Sequence, residues 1–151
     1  MSAVAERAGV RRSTLYRHFP DEDALFDACS SHWAAHNPPP DPTPWSEIRD
    51  PGERLRVALG ELYPWFRRNE SMMSNILRDA EMPVVRRNMA GFLAYTAAIQ
   101  GLLLAGRGRA PKATRGAIGH AISFTTWRSL ALEQGLSDAA AAGLMSRLVD
   151  G

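Results

Sequence analysis

Arg11, Arg12, Ser13, Thr14, Tyr16, Arg17 and His18 crowd eight consecutive positions, RRSTLYRH. Their side chains have the chemistry of nucleic-acid contact. Arg takes guanine edges or phosphate, Ser and Tyr hydroxyls reach phosphate oxygens, and Thr offers a methyl to thymine. A solvated basic face on a helical hairpin would use the same letters. The charge distribution favours the first reading. Residues 1–20 carry four Arg against Glu6, whereas residues 21–50 carry seven acids against Arg49. Only the first segment therefore suits a polyanion. Arg makes up 17 of the 18 basic residues, a bias that a GC-rich genome explains as simply as bidentate contacts do.

Two further sets have spacing that could do chemistry. Tyr63, Trp65 and Phe66, followed by Met72, Met73, Ile76 and Leu77, could line an apolar pocket, with Phe92, Tyr95, Phe124 and Trp127 on its other side. Met adapts to irregular partners, while Tyr and Trp put a polar tip beside an apolar body. Taken singly, each of these residues reads as core; taken together they predict a hydrophobic or aromatic ligand. Cys29, His32 and His36 fall on one helical face at metal-ligand spacing, but no fourth ligand is near, so no metal is expected there. No cofactor is expected either. The chain has no Gly-x-Ser-x-Gly elbow, no phosphate-binding glycine loop and no paired-histidine zinc motif, so nothing suggests an enzyme. With Cys29 as its single cysteine, it holds no internal disulfide.

The elements that must position these residues are helical. Ala (23) and Leu (15) outnumber Val, Ile and Thr together (17), and no stretch alternates as a strand would, so the fold reads as all-α. A short helix over 2–8 stops at Gly9, and a second spans 11–18. A third runs from Asp21 to about His36 and ends before NPPPDPTP, which has five prolines in residues 37–44. Helices follow over 51–68 with Pro64 as a kink, 71–79, 84–104, 112–134 and 137–149, the last capped by Ser137. The expected organisation is a helix-turn-helix region with its connecting helix (1–36), a proline-rich linker (37–50) and a ligand-binding and dimerisation domain (51–151). Asn88 to Gly106 is free of charge. Its Asn, Thr, Gln and Gly residues favour a buried bundle helix over a membrane span. Arg107-Gly108-Arg109 reads as a solvated turn, and the absence of a leader sequence makes the cytoplasm the expected compartment.

The letters of the first segment are more specific than its pattern. VAERAGVRRSTLYRHFPDEDALFDA resembles the DNA-binding signature of the TetR family of bacterial transcriptional regulators, at Val4, Ala5, Ala8, Gly9, Val10, Thr14, Leu15, Tyr16, His18, Phe19 and Leu25. FTTWRSLALEQGLS resembles, less specifically, the family's penultimate helix and the turn after it. The chain departs from the family pattern at Arg11, where relatives cap the recognition helix with Ser, and at Glu22, where they carry Lys. The pattern also implies one more helix upstream of residue 1, so the DNA-binding domain reads as incomplete.

The resemblance implies a homodimeric repressor on operator DNA. Arg11, Arg12, Ser13, Thr14, Tyr16, Arg17 and His18 would meet the duplex, and a small apolar effector would release it. The helix from Asp21 to His36 would transmit the signal. The last two helices would pair with those of a twin chain through His120, Leu132, Ala140, Ala141, Leu144, Met145 and Leu148. The alternative is a dimerising small-molecule-binding module that does not grip DNA.

Overall fold

The computed structural model describes residues 6–9, 11–108 and 111–151, without the side chains of Arg12 and Leu15. Most of the expected first helix, from Ser2 to Ala5, lies outside the described residues, as do Val10 and Arg109. The described residues are helical, with no strand among them. The elements are α1 (Arg12–His18), α2 (Glu22–His36), α3 (Thr43–Ser46), α4 (Pro51–Arg68), α5 (Glu70–Arg78), α6 (Pro83–Asn88), α7 (Ala90–Leu104), α8 (Lys112–Ala121), α9 (Phe124–Arg128), a π-helical turn (Ser129–Glu133) and α10 (Asp138–Asp150).

Local chemistry explains most of the boundaries. Asp21 caps α2 by accepting from the Ala24 N–H at 2.8 Å, Asp50 caps α4 through Glu53 at 2.7 Å, and Ser137 caps α10 through Ala140 at 3.2 Å. Each such cap is worth about 1 kcal/mol. Gly9 has φ +65°, the left-handed turn that ends a helix at little cost only for glycine. Pro64 lies inside α4, which nevertheless runs on to Arg68.

Two expected helices are broken. The one expected over 84–104 divides at Met89, where Asn88 turns its side-chain amide onto the Val84 carbonyl at 2.8 Å and so competes with the helical ladder. The one expected over 112–134 divides at Ser123. The Ser123 hydroxyl accepts from Thr126 N–H at 3.2 Å and starts α9, which then widens into the π-helical turn.

The chain forms two compact units, one of residues 1–38 and 79–89 and the other of residues 39–78 and 90–151. In the first, α2 packs against α6. No residue of α2 is buried, and Val84 and Val85 of α6 are the buried apolar residues among those described. In the second unit, α10 lies along α4, and α3, α5, α7 and α9 also pack on α4. That core completely buries Trp45, Leu55, Leu59, Leu62, Tyr63, Phe66, Ile99, Leu103, Ile118 and Trp127.

Three readings of the sequence change here. Residues 39–50, expected to be linker, belong to the second unit, because Trp45 is a core residue and the Tyr95 hydroxyl donates to the Pro40 carbonyl at 2.9 Å. Arg107 is not a solvated turn residue. Its guanidinium pairs with Asp150 at 2.7 Å and donates to the Pro51 carbonyl at 2.9 Å, leaving the side chain 13% exposed. The charge-free helix α7 is not buried throughout. Ile99 and Leu103 are its buried residues, and Leu93 stays 57% exposed, because α4 and α8 cover only one side of a helix that is apolar all round. No described helix is long and apolar enough to cross a membrane.

Candidate nucleic-acid interface and aromatic interior

The residues expected to meet DNA sit on α1 and its entry. Arg11 begins the first turn, its carbonyl accepting from the Thr14 N–H at 2.9 Å. Arg11, Ser13, Tyr16, Arg17 and His18 are exposed, and Thr14 is half-buried. The Arg12 side chain lies outside the described residues. Residues one turn apart share a helical face, so Ser13, Tyr16 and Arg17 present hydroxyl, phenol and guanidinium together. Phe19-Pro20 ends α1, and Asp21, Glu22 and Asp23 then bring three exposed carboxylates to the start of α2.

A polar clasp holds α2 to α6. Arg87 donates to both carboxylate oxygens of Asp27 at 2.9 Å, and Asn88 donates to one of them at 2.6 Å. Hydrogen bonding from Asn88 first, then Arg87, holds the Asp27 carboxyl below the usual carboxylate range. Sequence reasoning missed this clasp because its members lie about 60 residues apart. On the same helix Cys29 is exposed, and the His36 Nδ1 lies 2.8 Å from the His32 carbonyl. No cluster of three metal-ligating side chains forms among the described residues.

In the second unit all seven aromatic side chains picked out in the sequence meet in one continuous chain of rings. Tyr95 stacks on Phe92 (6.0 Å between centroids) and Phe92 on Trp65 (5.7 Å). Trp65 meets Phe66 at 5.6 Å, and Phe66 contacts Tyr63, Phe124 and Trp127 at 6.3, 5.5 and 6.0 Å. Such pairs add about 0.5–1.5 kcal/mol each beyond area burial. Two of the polar tips meet acceptors across the core: the Tyr63 hydroxyl donates to the Ala121 carbonyl at 2.8 Å, and Trp127 Nε1 to Asp138 at 2.9 Å. Burial raises the Tyr63 hydroxyl above its ordinary value. Tyr95 is raised by burial first and then by Glu61 and Asp41. The remaining candidates on α5 divide, with Met73 buried, Met72 and Ile76 half-buried and Leu77 exposed.

Asp138 joins three elements. Arg67 of α4 donates to both its oxygens at 2.9–3.0 Å while its guanidinium lies 5.5 Å from the Trp127 ring. Burial pushes the Asp138 carboxyl up, but the bonds from Arg67 and Trp127 outweigh it and hold the carboxyl below the usual range. Arg54, which the sequence did not single out, is buried and bonded only to carbonyls. Its Nε donates to Ile48 at 2.9 Å, and its Nη1 donates to Leu102 at 3.0 Å and Ala105 at 2.8 Å. An open cleft of about 580 Å³ lies between Asp50, Glu53, Arg56, Arg147 and Asp150, and none of the aromatic residues lines it.

The residues expected at a dimer interface also divide. His120, Leu132, Ala140 and Leu148 are exposed, Leu148 by 64%, and Leu144 is half-buried. Ala141 and Met145, one helical turn apart, are buried within the chain itself. The packing of α10 on α4 encloses that face, so these two support the helix from beneath rather than meet a partner directly.

The glycine turn at Gly9 and the exposed basic residues of α1 are features that a helix-turn-helix motif also has. Residues 1–29 match the family model described as bacterial regulatory proteins, tetR family. That segment, about a fifth of the chain, is therefore similar to the DNA-binding region of those regulators. No curated protein and no solved structure matches the chain.

Proposed function

We propose that the protein is a ligand-responsive repressor that binds operator DNA as a homodimer and leaves it when a small apolar effector enters the second unit. The observation that carries this reading is the family match over the segment in which α1 exposes Ser13, Tyr16, Arg17 and His18. In a dimer, two copies of α1 would enter successive major grooves about 34–36 Å apart. Arg11, Arg12 and Arg17 would supply the charge, and Thr14 and Tyr16 the shorter contacts. The exposed Leu132, Ala140 and Leu148, with His120 and Leu144, would form the dimer surface. The aromatic chain from Tyr95 to Trp127, with Met72, Met73, Ile76 and Leu77, supports an apolar effector. The effector can act only by favouring one state over the other. The route to DNA would be α2, whose Asp27 is gripped by Arg87 and Asn88 just before the chain passes through Met89 into α7. The cytoplasm follows from DNA as the partner.

The test is fluorescence anisotropy of the gene's own upstream DNA against a scrambled duplex across a salt series. Selective binding that weakens steeply with salt is expected, and Arg17→Ala should lower the salt slope by about 1. Equal affinity for both duplexes would overturn the operator reading. The exposed carboxylates of Asp21, Glu22 and Asp23 beside α1 favour a second reading, a dimerising small-molecule-binding module that does not hold DNA. A protein that dimerises and takes up apolar ligands but ignores both duplexes is that module.

A further inference from the structure

Trp45 differs from every other large core residue in how it is carried. It rides on the four-residue helix α3, in a segment with prolines at 38, 39, 40, 42 and 44, and yet it is completely buried. The carboxylate of Asp41 accepts from both the N–H and the hydroxyl of Thr43, at 2.9 and 2.7 Å, and so locks the turn into α3. With φ fixed at each proline, residues 39–48 form a stiff strap.

The strap is pinned near both ends. Five residues before Trp45, the Pro40 carbonyl accepts from Tyr95. Three residues after it, the Ile48 carbonyl accepts from Arg54. Between the pins, α3 packs on α4. The indole Nε1 is buried and no acceptor reaches it. Buried tryptophans ordinarily find one. The recess therefore fits the outline of a bicyclic aromatic ring but leaves its N–H unsatisfied.

We infer that the recess filled by Trp45 is the effector site, and that its ligand is a flat, uncharged bicyclic aromatic without a hydrogen-bond donor, which takes the place of the indole. This rests on the ligand-responsive reading above and names the site and ligand class within it. Two features make exchange favourable. A donor-free ring of the same size fills the recess at the same density and leaves no polar group unsatisfied. The displaced indole regains a hydrogen bond to water at its N–H. The strap can swing without breaking a main helix, since its prolines and α3 stand outside the helical ladder of α4 and α7. Tyr95, which pins the strap through its hydroxyl, also stacks on Phe92 and through it on Trp65, so strap movement would be felt along the ring chain.

The probes are naphthalene and indole, nearly equal in size and differing at the N–H, titrated into the full chain by calorimetry. Apolar cavities opened by truncation take up aromatic molecules, so Trp45→Ala should bind naphthalene about tenfold more tightly than the unaltered protein does. It should also prefer naphthalene to indole. Trp45→Phe keeps most of the filling and serves if the alanine variant does not fold by circular dichroism; it should bind naphthalene about threefold more tightly than the unaltered protein.

With 5-fluorotryptophan incorporated, the resonance missing from Trp45→Phe identifies Trp45, and naphthalene should move it to the position of a solvated indole. A folded variant no tighter for naphthalene than the unaltered protein would overturn the proposal. So would naphthalene binding that leaves the Trp45 resonance in place, although the effector reading would then survive with its site elsewhere. Displacement of Trp45 without any change in operator affinity would uphold the site and overturn its regulatory role.

Discussion

The two units are built on opposite terms. The first carries the residues expected to meet DNA, and in it no residue of α2 is buried and a clasp of half-buried Asp27 and Asn88 with exposed Arg87 joins α2 to α6. The second buries a continuous run of aromatic rings, and its polar groups are turned inward to carbonyls and carboxylates. Among the described residues, Val84 and Val85 are the buried apolar side chains of the first unit. Exposed ionic bonds contribute little and are screened by salt, whereas buried apolar area is neither.

Substitutions can break that contrast, beginning in the second unit. Phe66→Ala removes the ring that meets Tyr63, Trp65, Phe124 and Trp127 and should destabilise that unit by about 3–5 kcal/mol in denaturant unfolding. A loss below 1 kcal/mol would show that the ring chain is loosely packed. Arg54→Leu leaves the carbonyls of Ile48, Leu102 and Ala105 without their donor and should cost about 1–3 kcal/mol by the same measurement. Retention of full stability would mean that water replaces the guanidinium without loss.

In the first unit the expected effects are local and smaller. Asp27→Ala should speed amide hydrogen exchange in α2 and α6 while leaving α4 and α10 protected as before. Acid should do the same. The folded-state pKa of Asp27 is lowered, so the clasp contributes fully above the ordinary value of 3.8 and is lost as pH falls through the lowered one. Adding salt at neutral pH should loosen α6 and spare the Phe66 cluster. Equal responses in both units would erase the distinction between them.

Much of the helical framework was legible because helix signals are local. Asp21 and Ser137 stand where the apolar period begins, and Gly9 stands where a helix stops. The breaks at Met89 and Ser123 were not legible, since an Asn or Ser within an apolar run reads as tolerated until its side chain is seen bonding to the backbone. Trp45 was hidden for another reason: a lone aromatic among prolines has no period, and the segment reads as linker. Arg54 and Arg107 looked like ordinary charged positions on exposed faces, because only distant carbonyls make their burial worthwhile.

The sequence by itself determined the all-α class and the capped start at Ser137, and it set the basic and hydroxyl side chains of residues 11–18 side by side, all of which depend on neighbours within about one helical turn. Tertiary structure decided which apolar residues meet. It buried eight residues of the amphipathic α4 and only Ile99 and Leu103 of the more uniformly apolar α7. It also joined seven aromatic residues from three helices and carried Trp45 into the core on a short strap. Burial is a property of what packs against a side chain, and those partners come from parts of the chain that no local pattern connects.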